Sequence, residues 1–501
     1  MKILKRYLLL LLCPILLTAA LCGCGGGKAS PADSLTVGIA QDLDDSLDPH
    51  KMTAAGTREI LFNVFEGLVK PDPNGNLIPA VASDYAISDT GDTFTFTLRE
   101  GVKFHDGRAV TVGDVVYSVS RVAGLETGEP LIAAFKAVKS VEAPDDHTVV
   151  IRTAEPYLEF LSYLTAAIIP EGSDPADGLI GTGPYKFVSR AAQENIVLAR
   201  FDDYWGEKAG IADITFKIIE NADMLVMSLK SGAIDLCAHL TSTQASELGD
   251  GFTVAEGSMN IVQAMYLNNA YEPLQNYKVR QALCYAVDRQ KILDLVSDGK
   301  GSILGSSMYP AFGKYYNDLS NYYTLDIEKA KSLLAEAGYP NGFDLTITAP
   351  ANYQVHVDTA QVIAEQLKAV GVNCTIDTVE WSTWLEKVYQ NRDYQATVVG
   401  FDTSSAMTAQ SLLARFESTS GKNVCNFVSE SYDAIYSEAI AATDEAEQIA
   451  MYKQLQELLC EGAAAVYIQD PCDLVAMRSD ISGYTFYPIY VMDLSRLSIA
   501  K

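Results

Sequence analysis

The chain has 501 residues, which is too long for a single hydrophobic core, and we expect it to fold as two or more lobes. Its composition, with 48% hydrophobic and 20% charged residues, is that of a folded protein and argues against a disordered chain. The net charge of −27 argues against nucleic acid as a partner, because an acidic surface repels the phosphate backbone.

The start of the chain has the features of an export signal. Three positive charges are followed by an apolar run over 7–21, which is too short to span a bilayer. The run ends in Leu21-Cys22-Gly23-Cys24, which is similar to the bacterial lipoprotein box and implies that Cys24 carries a lipid. We expect a signal peptide over 1–23 and a lipid-anchor tether over 24–32. The mature protein would then lie outside the cytoplasm, anchored to the outer face of the cytoplasmic membrane, at the cell surface or in a periplasm. An ordinary secreted protein is the alternative.

The first half of the mature chain contains short alternating segments. Thr93 to Leu98 alternates strictly between threonine and apolar residues, which is typical of a half-buried strand. Apolar residues at helical spacing predict a helix over 60–69. The predicted strands of this half are 35–40, 93–98, 148–151 and 214–219.

The second half alternates strands and helices. Helical spacing predicts a helix over 278–296 and a helix or helix pair over 432–460, and Asp326 is placed to cap another helix. Predicted strands and helices then alternate in the order 343–348, 359–370, 372–379, 381–389 and 394–399. This β-α-β-α-β order demands parallel strands with right-handed crossovers.

The loops after these parallel strands are the predicted binding cleft. Parallel sheets bind ligands at the carboxyl ends of their strands, which here are residues 349–354, 380–384 and 400–404. Trp381 and Trp384 fall in the second of these loops, either as ligand contacts or as core anchors.

The residue types that carry catalysis or bind metals are scattered. The five histidines are far apart, no two cysteines have the Cys-x-x-Cys spacing, and the common nucleophile motifs are missing. We interpret His105-Asp106, which precedes a glycine, as part of a turn. We therefore expect a binding protein with no catalytic residue, no metal and no cofactor, with a hydrolase as the alternative class. For Cys460 and Cys472, both a disulfide and separate burial remain open.

Five segments in a fixed order carry a family pattern over most of the chain. They are residues 65–69 with 76–82, 98–118, 181–185, 279–289, and 330–340 with its Ala-Lys-Ser-Leu-Leu-Ala-Glu-Ala-Gly-Tyr-Pro. Together they resemble the family 5 extracellular solute-binding proteins, the dipeptide and oligopeptide receptors of ABC importers. The resemblance implies an α/β fold, a two-lobed clamp like that of periplasmic binding proteins with an additional N-terminal α+β subdomain.

The resemblance also implies how the chain is divided and what it does. Lobe I would comprise residues 33–262, with the extra subdomain at about 50–180, lobe II residues 263–475, and residues 476–501 would return to lobe I. The protein would be a monomer that closes on a small solute, most simply a short peptide, and is read in that state by the permease subunits of an ABC importer. A non-peptide solute, either a sugar or a metal chelate, is the alternative ligand.

In the family, an Asp shortly after a Gly-Trp pair holds the α-ammonium of the peptide. Here the pair is Gly400-Phe401, and the matching position holds Ser404. Asp402 lies two residues earlier and either serves the ammonium through a shifted loop or caps the following helix. Phe401, Asp402 and Ser404 are therefore the ligand-binding candidates that the resemblance adds to Trp381 and Trp384.

Overall fold

The structure, a computed structural model, describes residues 33–43, 46–175, 178–403 and 406–500. The predicted signal peptide and tether, including Cys24, lie outside these residues, as does Ser404. Within the described ranges, we find no helix that is both long and apolar enough to cross a membrane.

The described part of the chain alternates short strands and helices. The strands are β1 (Ser34–Ile39), β2 (Val69–Pro71), β3 (Leu77–Pro79), β4 (Ala82–Ile87), β5 (Thr93–Leu98), β6 (Val138–Glu142), β7 (Thr148–Thr153), β8 (Tyr185–Ala191), β9 (Asn195–Arg200), β10 (Asp213–Ile218), β11 (Leu236–Cys237), β12 (Phe252–Ser258), β13 (Val262–Leu267), β14 (Gly301–Ile303), β15 (Asp344–Pro350), β16 (Asn373–Val379), β17 (Ala396–Phe401), β18 (Ala465–Arg478), β19 (Ile481–Ser482) and β20 (Ser498–Ile499). The α-helices are α1 (Ala55–Leu61), α2 (Val112–Ala123), α3 (Phe160–Tyr163), α4 (Ala222–Lys230), α5 (Ser242–Ser246), α6 (Tyr277–Ala286), α7 (Arg289–Ser297), α8 (Ile327–Glu336), α9 (Gln354–Leu367), α10 (Trp381–Trp384), α11 (Ala409–Leu413), α12 (Glu430–Ile440) and α13 (Glu445–Glu461).

The largest sheet runs through most of the molecule in the order β16-β15-β17-β13-β18-β11-β1-β10-β9-β8. The long strand β18 joins its two parts. Its first half pairs with β13 and β14, and its second half pairs with β11 and β12. One strand therefore connects the sheet of the N-terminal half to the sheet of the C-terminal half.

Helices cover both faces of the C-terminal part of this sheet. In β13, Met265 and Leu267 pack into one apolar core, whereas Val262, Ala264 and Tyr266 pack into another. Alternate residues of a strand point to opposite faces, so β13 is buried on both sides. This part of the chain is a three-layer α/β structure.

The N-terminal half contains two further cores. Leu35 and Val37 of β1 pack with Leu494 and Leu497, so the segment after β19 completes the core that contains β1. A separate antiparallel sheet, β4-β5-β7-β6, packs against α2 around Phe94 and forms the core of an α+β unit. The exact lobe boundaries given above remain predictions.

Several predicted elements are confirmed. The strand Thr93–Leu98 is observed with the predicted bounds, and β15 is parallel to both β16 and β17. The Asp326 carboxylate caps α8 by accepting a hydrogen bond from Lys329 N at 2.9 Å. The segment at 432–460 is a pair of helices, α12 and α13.

The helix predicted over 60–69 is wrong. The helix there is α1, which ends at Leu61, and Leu68 N instead donates to Leu164 O at 3.0 Å. A Cβ on Gly67 would lie 2.4 Å from the same carbonyl oxygen. Contact with a distant segment therefore overrides the local apolar spacing at this point.

The single helix predicted over 278–296 is two helices. Val287 is extended, with φ −100° and ψ 118°, and separates α6 from α7. The Asp288 carboxylate then caps α7 by accepting a hydrogen bond from Lys291 N at 3.0 Å. The helix is thus interrupted at Val287 and restarted by the Asp288 cap, although the apolar helical spacing runs on through both helices.

The cysteines of the described residues are unpaired. Cys460 is buried and its Sγ lies 2.8 Å from Gly305 O, while Cys472 is partly exposed on β18. No disulfide joins the two residues in this structure.

Candidate ligand-binding site

The loops after β15, β16 and β17 face a cavity of about 90 Å³, which we call the first cavity. The opposite wall comes from the end of β1, from α1 and from the segment after β11. The polar or aromatic side chains that line it are Gln41, Glu59, His239, Gln244, Asn352, Tyr353, Gln354, His356, Trp381, Asp402 and Tyr490. The predicted carboxyl ends therefore do meet at a cavity, and its other wall is formed by the N-terminal half of the chain.

A second cavity, of about 270 Å³, lies next to the first. We define it by Met52, Arg58, Phe62, Ile132, Lys422 and Tyr490. Tyr490 lines both cavities. Arg58 lines the second cavity and is bound to Asp402, which lines the first, so this ion pair stands between the two.

The Arg58–Asp402 pair joins the two halves of the molecule. Arg58 Nη2 donates to both carboxylate oxygens of Asp402, at 2.8 and 2.7 Å, and both residues are buried. Burial alone would raise the pKa of Asp402, but the charge and hydrogen bonds of Arg58 outweigh it and lower the pKa. Asp402 is therefore ionised, and Arg58 holds the carboxylate that the sequence suggested for a ligand ammonium.

A second connection across the first cavity is made by Asn352. Its Nδ2 donates to Ala40 O at 3.2 Å, and its Oδ1 accepts a hydrogen bond from Trp381 N at 2.8 Å. One side chain thus links the end of β1 to the start of α10. The two walls of the first cavity are in contact, which is the arrangement of a closed clamp.

The wall near α1 carries a charged cluster around His239. The two ring nitrogens of His239 lie 2.9 Å from carboxylate oxygens of Glu59 and Asp473, and the Tyr490 ring stacks on the imidazole at 4.9 Å. Burial alone would lower the pKa of His239, but the two carboxylates outweigh it and raise the pKa well above its usual value. His239 is therefore cationic and neutralises part of the acidic charge on this wall.

Two side chains of the first cavity have buried polar atoms with no hydrogen-bond partner among the described residues. They are Gln41, whose Nε2 and Oε1 are both unpaired, and Trp381, whose Nε1 is unpaired. Buried polar groups are almost always hydrogen-bonded, so such groups on a cavity wall indicate donors and an acceptor for a bound molecule.

The remaining predicted candidates lie in different environments. Trp384 is buried in the core with 1% exposure, and its Nε1 donates to Thr397 Oγ1 at 2.9 Å. The buried Phe401 ring packs on Tyr266 at 4.7 Å. Neither Trp384 nor Phe401 lines the two cavities. The structure thus brings Trp381 and Asp402 together at the first cavity, and Ser404 lies outside the described residues.

Several cavity residues had no signal in the sequence. Arg58, Glu59 and Gln41 lie in the N-terminal half of the chain, His239 lies well before the first of the predicted loops, and Tyr490 lies well after the last of them. Only the fold brings them to the two neighbouring cavities. The sequence predicted that His105 is part of a turn. In the structure its Nε2 lies 3.0 Å from Gly183 O, within hydrogen-bond distance.

The described residues contain no group of three or more His, Cys, Asp or Glu side chains with the geometry of a metal site. The first cavity can therefore offer hydrogen bonds, aromatic surface and paired charges. Its geometry is that of a binding site at the carboxyl ends of parallel strands.

Comparison with known proteins defines the class. Residues 76–423 match the sequence profile described as bacterial extracellular solute-binding proteins, family 5 Middle. The chain therefore belongs to the family 5 bacterial extracellular solute-binding proteins. Members of this family are extracytoplasmic binding proteins that deliver solutes to ABC importers, and they are not enzymes.

Three relatives illustrate the range of this similarity. The dipeptide-binding protein of Escherichia coli (strain K12) is 26% identical over 470 residues, which cover 84% of this chain and 86% of that protein. The structure of AgaA from A. tumefaciens R10, in complex with agropinic acid, is 26% identical with a TM-score of 0.81, over 93% of this chain and 99% of that one. The structure of NikZ from Campylobacter jejuni, in complex with Ni(L-His), is 21% identical with a TM-score of 0.83, over 94% of this chain and 100% of that one. The predicted fold, a two-lobed clamp of α/β type, is confirmed.

Proposed function

We propose that this protein is a lipid-anchored receptor, monomeric and without enzyme activity, that captures a short peptide between its lobes and delivers it to an ABC importer. The lipid would be attached at Cys24, within the lipoprotein-like segment. Family membership supports the transport role, and a similar dipeptide-binding protein supports the choice of ligand.

The observation that carries the peptide assignment is the pair of unsatisfied side chains in the first cavity. The Gln41 amide offers one acceptor and one donor group, and Trp381 Nε1 offers another donor. A peptide backbone presents N–H and C=O groups side by side, which such a set can bind without regard to the peptide's side chains. Asp402 and Glu59 add negative charge for an α-ammonium, provided that Arg58 or His239 releases a carboxylate oxygen.

The test combines identification of the ligand with one substitution. Protein produced from residue 25 onward is analysed by native mass spectrometry as purified, and then with mixtures of di- and tripeptides, with sugars and with metal chelates. We expect a retained short-peptide mass. Retention of a sugar or a chelate would replace the peptide as ligand, and turnover of a bound peptide would support the hydrolase instead.

Gln41→Leu is the matched variant. We expect it to weaken peptide binding at least about tenfold, while the ligand-free protein keeps its stability because no hydrogen bond is lost. Asn63→Leu is the control. The Asn63 side chain is buried with its hydrogen bonds satisfied by Ile60 O, Met492 O and Leu494 N, so its loss should destabilise the fold. Unchanged peptide affinity in Gln41→Leu would contradict the assignment of Gln41.

A further inference from the structure

The second cavity carries surplus positive charge, although the protein as a whole has a net charge of −27. Three of the four Lys and Arg residues on its wall have a carboxylate partner, in the pairs Lys51–Asp48, Arg58–Asp402 and Lys70–Glu66. Lys422, the fourth, makes no ion pair with any of the described residues. Lys422 is therefore a cation on a cavity wall with no ion-pair partner in the described part of the chain.

A buried guanidinium close to this wall adds to the surplus. Arg415 is 8% exposed, and its Nη2 donates to the backbone oxygen of Asp402 at 3.2 Å. Its Nε and Nη1 are buried and have no hydrogen-bond partner among the described residues, and the guanidinium carbon lies 4.3 Å from the Phe401 ring centre. Buried cations are normally paired, but Arg415 forms no ion pair with the residues that the structure describes and is therefore a second surplus positive charge there.

The charges affect one another. Lys422 is exposed as a whole residue, yet protein atoms crowd its ammonium, and this desolvation, together with Arg415 and Arg58, lowers the pKa of Lys422 to about 8. Asp402 opposes the shift only in part. An anion beside Lys422 would relieve this repulsion.

The rest of the second cavity is largely apolar. Its wall includes Met52, Phe62 and Ile132, and its volume of about 270 Å³ exceeds that of the first cavity. A site that combines an apolar chamber with a cation fits an acid whose charged group is attached to an apolar body.

Building on the proposed function, we infer that the captured solute carries a carboxylate, which binds beside Lys422 and Arg58 in the second cavity with its apolar part against Phe62 and Ile132. Lys422 makes the direct contact. Arg58 and Arg415 attract the carboxylate electrostatically without a direct contact. Asp402 already occupies Arg58 Nη2, and Arg415 does not line the cavity. The carboxylate can be the C-terminus of a peptide or belong to a non-peptide acid.

The experiment compares acids with their neutral amides. Calorimetry on the protein produced from residue 25 onward uses the dipeptide Ala-Phe, its C-terminal amide, 3-phenylpropionate and 3-phenylpropionamide. We expect an acid to bind at least about tenfold more tightly than its amide, because the amide cannot form the charge-assisted contact. A preference shown by Ala-Phe alone identifies a peptide C-terminus, and one shown by 3-phenylpropionate also admits non-peptide acids.

Three variants locate the preference. Lys422→Gln should abolish it, and Lys422→Arg should keep it. Lys368→Gln is the control, since Lys368 is exposed and paired with Glu365 away from the cavities. Thermal unfolding of each ligand-free variant shows that the fold is intact.

The inference is overturned if acid and amide bind equally, if Lys422→Gln keeps the preference, or if no probe acid binds at millimolar concentration. These results are distinct from a failure of the proposed function. A receptor that retains neutral peptides in native mass spectrometry would keep its function and lose only the carboxylate site, whereas one that retains no solute at all would lose both.

Discussion

Two tryptophans on the short helix α10 differ in what their surroundings allow. The rings of Trp381 and Trp384 stack at 5.0 Å with an angle of 10° between their planes. Trp384 is enclosed and hydrogen-bonded to Thr397, whereas Trp381 is partly exposed and lines the first cavity with its Nε1 unpaired. Their three-residue spacing places the two rings side by side on the helix. The burial of each ring therefore separates the packing role of Trp384 from the candidate ligand contact of Trp381.

This difference predicts opposite effects of two substitutions. Trp384→Ala should lower the free energy of unfolding by about 3–5 kcal/mol, because it leaves a cavity and removes the hydrogen bond that Thr397 Oγ1 accepts. Trp381→Ala should cost clearly less stability and weaken peptide binding. Urea unfolding measures the first effect and calorimetry the second. A Trp384→Ala protein as stable as the wild type would contradict the packing role.

At the scale of elements, the N-terminal end of α11 is held by a carboxyl from the other half of the chain. Glu159, just before α3, accepts hydrogen bonds from Ala409 N at 2.9 Å and from Tyr452 Oη at 2.6 Å. Burial raises the pKa of Glu159 to about 7, and these hydrogen bonds offset the shift only in part. Helix N-termini favour carboxylates, so this contact ties α3 to α11 and α13.

The raised pKa of Glu159 predicts a pH dependence. A carboxyl that holds its proton more firmly when folded contributes fully below its usual pKa of 4.5, and this contribution is lost as pH rises through about 7. We expect the wild type to lose up to about 3 kcal/mol relative to Glu159→Gln between pH 4.5 and pH 7.5. Denaturant unfolding at several pH values measures the difference.

Glu155→Gln provides the control for this experiment, because Glu155 lies in the same segment but is exposed. The free energy of unfolding of Glu155→Gln should therefore run parallel to that of the wild type over this pH range. If the curves of Glu159→Gln and the wild type also run parallel, the Glu159 carboxyl does not titrate in this range.

At the scale of the molecule, the backbone joins the two halves through β18 and through the connection from β12 to β13, and side chains close the cavity between them. Arg58 and Asp402 are 344 residues apart in the chain, and their ion pair is buried between the two cavities. A buried pair of this kind couples the halves strongly, since either charge left alone is costly. Ligand binding between the halves would stabilise the same closed arrangement.

A double-mutant cycle tests this coupling. Arg58→Met and Asp402→Leu should each lower stability by about 3–5 kcal/mol, because each leaves a buried charge unpaired. The double variant should lose much less than the sum of the two, since neither member of the pair is then left without the other. Urea unfolding of the four proteins gives the coupling, and strictly additive losses would show that the pair does not join the two halves.

The sequence by itself determined the features that depend on short-range patterns. Periods of two and 3.6 residues predicted β5, the parallel strands β15, β16 and β17 and the helices between them, and the carboxyl ends of those strands predicted one wall of the first cavity. The family segments predicted the fold class, which comparison confirmed. Local patterns failed where a cap or a distant contact intervened, as at Asp288 and Gly67.

Only the tertiary structure decided what stands opposite that wall. Gln41, Arg58, Glu59 and Tyr490 reach the cavities because β1, α1 and the C-terminal segment pack together, and no spacing along the chain encodes that meeting. The charge state of Asp402 likewise depends on Arg58, whose guanidinium lies within hydrogen-bond distance only in the fold. Electrostatic and hydrogen-bond contacts act over a few ångströms, so they follow from position in space and not from position in the sequence.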